Sequence, residues 1–301
     1  MNSSVDGLLV VDKPLGLTSH DVVAELRKEL KTKKVGHAGT LDPQATGVLV
    51  LGIGKATRLL NYLVGLNKSY HAVIRLGQAT STEDAAGEVI ASLGAPNLST
   101  AQISEAVSAM VGPMSQTPPQ VSAKKVRGKR AYDLARAGEK VELTPKDIEI
   151  YRFVLNSTNP ASVGDLAVVD CDIDCEVSSG TYVRAMARDL GERLRVGGHI
   201  LKLRRTRLGP WQEEDCIQLK QVAWPHVIPM GQVTRDFFQV RSLSQTEADL
   251  VRHGGRVPLG QVVASPNLIN DEAVALLGLD GELLAMAKQQ GDYLQPTTVF
   301  V

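Results

Sequence analysis

Apolar residues recur along this chain with two different periods, and the switches between them mark its elements. Gly7 to Val11 is a short apolar run suited to a buried strand, closed by the turn-rich Asp12-Lys13-Pro14-Leu15-Gly16. Thr18 and Asp21 then stand at capping-box spacing, and Val22, Leu26 and Leu30 repeat every four residues, which predicts a helix with one buried stripe. Val48 to Ile53 reads as another apolar strand, and Gly54 to Arg58 as the start of a helix with Leu59, Leu60 and Leu63 in the core. From Ser69 to Leu76 the period is two: Tyr70, Ala72, Ile74 and Leu76 share one face, and Ser69, His71, Val73 and Arg75 the other. The same alternation from Val169 to Val177 puts Cys171 and Cys175 on a core face and Asp170, Asp172, Asp174 and Glu176 on the opposite one.

Residues 77–98 read as a loop and hairpin region, after which Ser99 and Gln102 cap a helix carrying Ile103, Val107 and Met110. Pro118 to Lys140 is a polar, basic excursion with a short helix expected around Tyr132, Leu134 and Ala135. Gly180 marks a sharp passage from strand to helix, with Arg184 in the first turn and Met186 and Leu190 at four-residue spacing. Beyond Pro225 to Pro229 the texture changes. Phe237 to Arg241 suggests a strand, Ser244 and Glu247 a capping box, and Val262 to Ala264, Leu283 to Ala287 and Thr297 to Val301 further short strands. This organisation predicts a domain over residues 1–237 with a basic insertion at about 118–145, and a small mixed or β-rich domain over 238–301.

Composition narrows the class. At 301 residues, 43% hydrophobic and 22% charged, the chain is an ordinary globular one with room for a sizeable core. Aromatic content of 4% argues against serial stacking on many bases. No leader-like or membrane-length apolar segment stands out, so a cytoplasmic location is expected. Three cysteines and six scattered histidines give neither a disulfide framework nor metal-ligand spacing, and no metal is predicted. The stretch before Ala56 superficially resembles a phosphate-binding loop, but Leu49 stands where the first glycine is required and Ala56 where the hydroxyl is.

Net charge is zero, yet bases cluster: Lys124, Lys125, Arg127, Lys129 and Arg130 fall within seven residues, Lys202, Arg204, Arg205 and Arg207 within six, and five more between Arg27 and Lys34. Such clusters suit a phosphate backbone or a set of unrelated solvated surfaces.

The candidate reactive group is Asp42, in Gly36-His37-Ala38-Gly39-Thr40-Leu41-Asp42-Pro43-Gln44-Ala45-Thr46-Gly47-Val48. Three glycines permit close approach of backbone to a ligand, and Pro43 restricts the Asp42 backbone to extended or turn geometry. Asp before Pro is also a common turn starter, so both readings stand at this point. Tyr70 is either a core tyrosine or a pocket aromatic, and Arg184 opposes the dipole of its helix unless an anion faces it.

Read in order, Gly7 to Pro14, Gly36 to Gly47, Lys68-Ser69-Tyr70 through Gly77, Ser179-Gly180-Thr181-Tyr182-Val183-Arg184 and Leu203-Arg204-Arg205 closely resemble the TruB family of tRNA pseudouridine synthases, over residues 7–210. The tail resembles the small RNA-binding domain of the PUA type. The resemblance implies an α+β fold, a mixed, largely antiparallel sheet with flanking helices, plus a PUA-like C-terminal domain. It implies an isomerase without a cofactor that converts uridine 55 in the T arm of tRNA to pseudouridine, with tRNA as partner and a monomer expected. By motif position Asp42 is the nucleophile, Tyr70 stacks on the target base and is implicated in proton removal at C5, and Arg184 pairs with the aspartate. His37 enters the RNA loop where the base has left; Arg58, Tyr182 and Leu203 match a basic residue, a pocket tyrosine and an apolar wall. Lys124, Lys125, Lys129 and Arg130 are expected to contact RNA. A carboxylate-dependent glycosidase would need a second carboxyl group beside Asp42, which the motif segments lack. Against a non-catalytic tRNA-binding or RNA-folding protein of the same fold, intact Asp42, Tyr70 and Arg184 argue for retained catalysis, with which assistance to RNA folding is compatible.

Overall fold

The computed structural model describes residues 5–120, 125–126, 129–130 and 143–300. In chain order, β1 (Gly7–Lys13) leads to α1 (Ser19–Glu29), β2 (Val35–His37), β3 (Ala45–Ile53), β4 (Lys68–Leu76), β5 (Gln78–Thr80) and β6 (Val89–Ser92). Then come α2 (Thr100–Ser108), β7 (Gly112–Gln116), β8 (Lys125–Val126), β9 (Lys129–Arg130), β10 (Lys146–Val163) and β11 (Leu166–Val177). α3 (Val183–Arg193) precedes β12 (Gly198–Leu208), β13 (Trp211–Gln212), β14 (Ile217–Gln218) and β15 (Ile228–Pro229). The remainder is α4 (Met230–Phe237), β16 (Phe238–Ser242), α5 (Gln245–Arg252), β17 (Val257–Pro258), β18 (Asn270–Leu277), β19 (Leu283–Gln290) and β20 (Tyr293–Val299). The class is α+β, with mixed, largely antiparallel sheets and few helices. No helix among the described residues is long and apolar enough to cross a membrane.

Two compact units emerge, Met1–Pro43 with Gly47–Leu66 and Leu208–Val301 in one, Gln44–Thr46 with Asn67–Arg207 in the other. In the first, β1 runs antiparallel to β3, from Gly7 opposite Ile53 to Lys13 opposite Gly47, and takes β14 in parallel and β15 antiparallel on its other edge. β2 also pairs with β3. Val22, Val23 and Leu26 of α1 are buried, and both halves of its Thr18–Asp21 capping box form. A second sheet in the order β16-β18-β19-β20-β17 belongs to the same unit. Its Phe238, Met286 and Phe300 share one apolar cluster with Leu8, Val48, Leu59 and Trp211, so the core runs straight through the expected boundary at residue 237. Leu243, Val251, Leu276 and Leu294 form a further cluster under α5. The α5 capping box forms as expected, and its Glu247 accepts from Arg241 Nη2 at 2.6 Å, which holds the Glu247 carboxyl down to about 2.

Two expectations are corrected. Gly54 to Tyr62 makes two 3-10 turns instead of a helix, although Leu59, Leu60 and Leu63 are buried as expected. Long-range partners capture the backbone there: Asp6 Oδ1 accepts from Lys55 N–H at 2.9 Å, and Gly54 N–H donates to Lys34 O at 2.8 Å. Val262 to Ala264 contributes only an isolated bridge, Val263 to Val240, and the unexpected β18 lies between β16 and β19. The helix expected near Tyr132 lies outside the described residues.

In the second unit the strand order is β12-β4-β11-β10-β7, and β5 and β6 form a separate hairpin. α2, with both halves of its Ser99–Gln102 box formed, packs on β10 and α3, and α3 packs on β4. β4 and β11 pair antiparallel with Arg75 opposite Asp170, His71 opposite Asp174 and Ser69 opposite Glu176. The acidic face of β11 is thereby partnered across strands: Arg75 grips Asp170 through two hydrogen bonds at 2.7 and 2.8 Å, His71 lies between Asp172 and Asp174, and Arg207 pairs with Glu176 at 2.6 Å. On the opposite face Cys171 and Cys175 are buried, and burial pushes both thiols up to about 12.

Candidate active site

In the first unit, the Asp42 loop is tied down on both sides of the carboxylate. Ser19, fully buried at the start of α1, takes a hydrogen bond from Leu41 N–H at 2.8 Å and donates its hydroxyl to Leu41 O at 3.1 Å. On the other side Gly16 N–H donates to Pro43 O at 2.8 Å. Leu41 is itself buried, so the residues flanking Asp42 have little freedom. Gly39 and Gly47, with φ of 90° and 101°, supply the left-handed conformations that let the chain double back around this segment. A carboxylate so placed loses little entropy on reaching a bound group. Ser19→Ala leaves the buried Leu41 N–H without its acceptor and should cost ~1–3 kcal/mol of stability, measurable as a lower midpoint in urea.

His37 ends β2, its ring edge-on to His20 of α1 at 5.5 Å between centroids. Arg58 does not stand as an isolated basic residue. Its guanidinium lies 5.1 Å from the centroid of the buried Phe300 ring, a cation–π contact.

In the second unit, Tyr70 is buried on β4, on the face it shares with Ala72 and Ile74 and opposite Cys175. Lys68, two residues earlier on that face, is also buried; burial, then the charges of Arg205 and Lys146, lower its ammonium to about 8. Leu203 is half-buried on β12, the strand next to β4. Tyr182 is the N-cap of α3 and is fixed through its backbone: buried Gln116 accepts from Tyr182 N–H at 2.9 Å and donates to Tyr182 O at 3.2 Å.

Arg184 follows in the first turn of α3, and that turn contains no acid. The anion that its position requires is present in the unit as Asp84, which sequence reading missed. Arg184 Nη1 stands 3.6 Å from Asp84 Oδ2 and donates to Thr82 O at 2.8 Å, with both side chains buried. The other oxygen, Asp84 Oδ1, accepts from the Thr82 hydroxyl at 2.6 Å and from Ala86 N–H at 3.0 Å, so the carboxylate is aimed by its own turn. Nothing in Thr80 to Asp84 signals a partner a hundred residues away; the only local hint is an acid in a Thr-rich hairpin loop.

The second basic cluster is not the free phosphate-binding surface expected of it. β12 sends successive residues to opposite faces: Arg205 is 1% exposed, Arg204 donates to Thr46 at 3.3 Å, Arg207 is committed to Glu176 and Ser69, and Lys202 alone of the four is exposed. Lys125, Lys129 and Arg130 contribute backbone to β8 and β9, which pair antiparallel, while Lys124 lies outside the described residues.

Residues 27–183 match the model of the TruB family pseudouridylate synthase N-terminal domain, and residues 184–228 that of the tRNA pseudouridylate synthase B C-terminal domain. The tRNA pseudouridine synthase B of Arthrobacter sp. (strain FB24) is 47% identical over 98% of this chain and 97% of its own length. That of Thermobifida fusca (strain YX) is 47% identical over 98% of each. Among solved structures, the archaeal box H/ACA sRNP Nop10-Cbf5 complex aligns with TM-score 0.70 at 22% identity, covering 99% of this chain and 87% of that one, a likeness of fold alone. The chain belongs to the TruB family of tRNA pseudouridine synthases.

Proposed function

We propose that this enzyme isomerises uridine 55 in the T arm of tRNA and that Asp42 is its nucleophile. The observation that carries the reading is the Asp42 loop, where Ser19 and Gly16 anchor the two residues flanking one carboxylate. The reaction breaks the bond from C1′ to N1 of uracil, turns the base, forms a bond from C1′ to C5, and moves the C5 proton away while N1 gains one. Asp42 attacks at C6 or at C1′, or assists elimination from the sugar. The uracil is extruded from its loop before any of these steps. Tyr70 stacks on the base and serves proton removal at C5, Arg184 pairs with the Asp42 carboxylate, Tyr182 and Leu203 wall the pocket, and His37 fills the space that the base has left. Asp84, through its ion pair with Arg184, sets the direction of that guanidinium.

The enzyme acts as a monomer on free tRNA in the cytoplasm, with the 238–301 segment adding RNA contacts of the PUA type. Incubation with unmodified tRNA followed by mapping of pseudouridine tests substrate, reaction and position together. Modification at position 55 alone is expected, and modification elsewhere would overturn the assignment. Phosphate contacts are assigned to Lys124, Lys125, Lys129 and Arg130. Replacing all four with alanine should weaken tRNA binding and flatten log Kd against log salt by roughly 0.7–0.9 per lost phosphate contact; an unchanged slope would return the cluster to plain solvated surface.

A further inference from the structure

Two arginines one turn apart on α3 reach the same three-residue turn. Arg184 contacts Thr82 O and Asp84, and Arg188 Nη1 donates to Glu83 Oε1 at 2.7 Å. Arg188 is held in turn by Asp189 Oδ1 at 2.8 Å and Thr117 O at 2.9 Å. Glu83 is an unusual occupant of its position. Its φ is +62°, a left-handed conformation that suits glycine, and its side chain is 12% exposed. Oε2 is buried with no hydrogen-bond partner among the described residues. Burial pushes its carboxyl up, while Arg188 and then Arg184 pull it down and Asp189 pushes it up. The turn does not need this side chain to close, since Glu83 N–H donates to Thr80 O at 3.2 Å, the Thr80 hydroxyl to Asp84 O at 2.7 Å, and Ile200 N–H to Glu83 O at 3.0 Å. A strained and largely buried glutamate side chain therefore stands at the point where its carboxylate meets Arg188.

We propose that Glu83 is a positioning residue for the isomerisation, clamping the Thr82–Asp84 turn onto α3 through Arg188 and so fixing the direction of the Arg184 guanidinium. This rests on the reading of Arg184 as a group that acts at the reacting nucleotide. Arg184 takes two of its contacts from the residues on either side of Glu83, so a shift of that turn redirects it.

Glu83→Gly separates positioning from structure, because glycine relieves the left-handed backbone while deleting the carboxylate. The variant should keep the melting temperature and RNA affinity of the parent, while single-turnover kcat on a T-arm stem-loop falls about tenfold with KM unchanged. Glu83→Gln should move kcat in the same direction with the side-chain shape retained. Arg188→Gln should slow kcat as well, and combining it with Glu83→Gly should add nothing further. A Glu83→Gly or Glu83→Gln enzyme with parental kcat overturns the proposal, whatever its melting temperature, provided Arg184→Lys is slow. If Arg184→Lys is also unimpaired, the underlying reading of Arg184 has failed with it.

Discussion

Asp42→Asn should reduce pseudouridine formation in a T-arm stem-loop to background, a loss of ~10⁴-fold or more of the kind seen when a nucleophile is removed, with RNA affinity nearly unchanged. The substitution preserves size and leaves the anchors untouched, because the loop is held by Ser19 on Leu41 and Gly16 on Pro43 and not by the Asp42 side chain alone. What it removes is the negative charge and the electron pair that would attack C6 or C1′, or assist elimination at the sugar. Affinity should survive because RNA binding is spread over phosphate contacts elsewhere. Undiminished single-turnover conversion by the purified variant would sink the nucleophile assignment. A parallel loss of binding would mean instead that the carboxylate shapes the loop.

Local signals in the sequence translated well into structure. The capping boxes at Thr18, Ser99 and Ser244 all formed, since each depends on residues three apart, and β11 kept its alternation of cysteines and acids. The misses share one cause, which is competition from partners far along the chain. Asp6 and Lys34 capture the backbone at Gly54 and Lys55 and turn an expected helix into 3-10 turns. β18 begins with Asn270-Asp271-Glu272, which has no strand signature, and becomes a strand because β16 and β19 flank it. The run from Lys202 to Arg207 looks like one basic patch until β12 deals its members to two faces and buries Arg205. For the same reason motif position singled out Asp42, Tyr70 and Arg184, whereas Asp84 and Glu83 became visible only once α3 lay beside their turn.

Arg184→Lys is the second large effect expected. Lysine keeps the positive charge but not the planar fork, so it cannot hold the Thr82 carbonyl and the Asp84 carboxylate while presenting further donors to a third group. Removing the cation altogether would leave Asp84 uncompensated in a buried setting, at about 3–5 kcal/mol, and would confuse misfolding with lost catalysis. The lysine avoids that outcome, because an ammonium can still neutralise Asp84 from the same helix position. Stability should therefore change little, while kcat falls about 100-fold, the scale on which a displacement of roughly 1 Å costs rate. KM should stay near the parental value if Arg184 orients the reacting groups and does not grip the RNA. A rise in KM at constant kcat would instead make Arg184 a binding residue. Asp84→Asn gives the complementary reading, since it keeps the turn's Oδ1 contacts with Thr82 and Ala86 but withdraws the charge facing Arg184. If the Asp84 ion pair sets the direction of Arg184, Asp84→Asn, which turns an amide NH2 toward the guanidinium, should lower kcat in the same direction as Arg184→Lys.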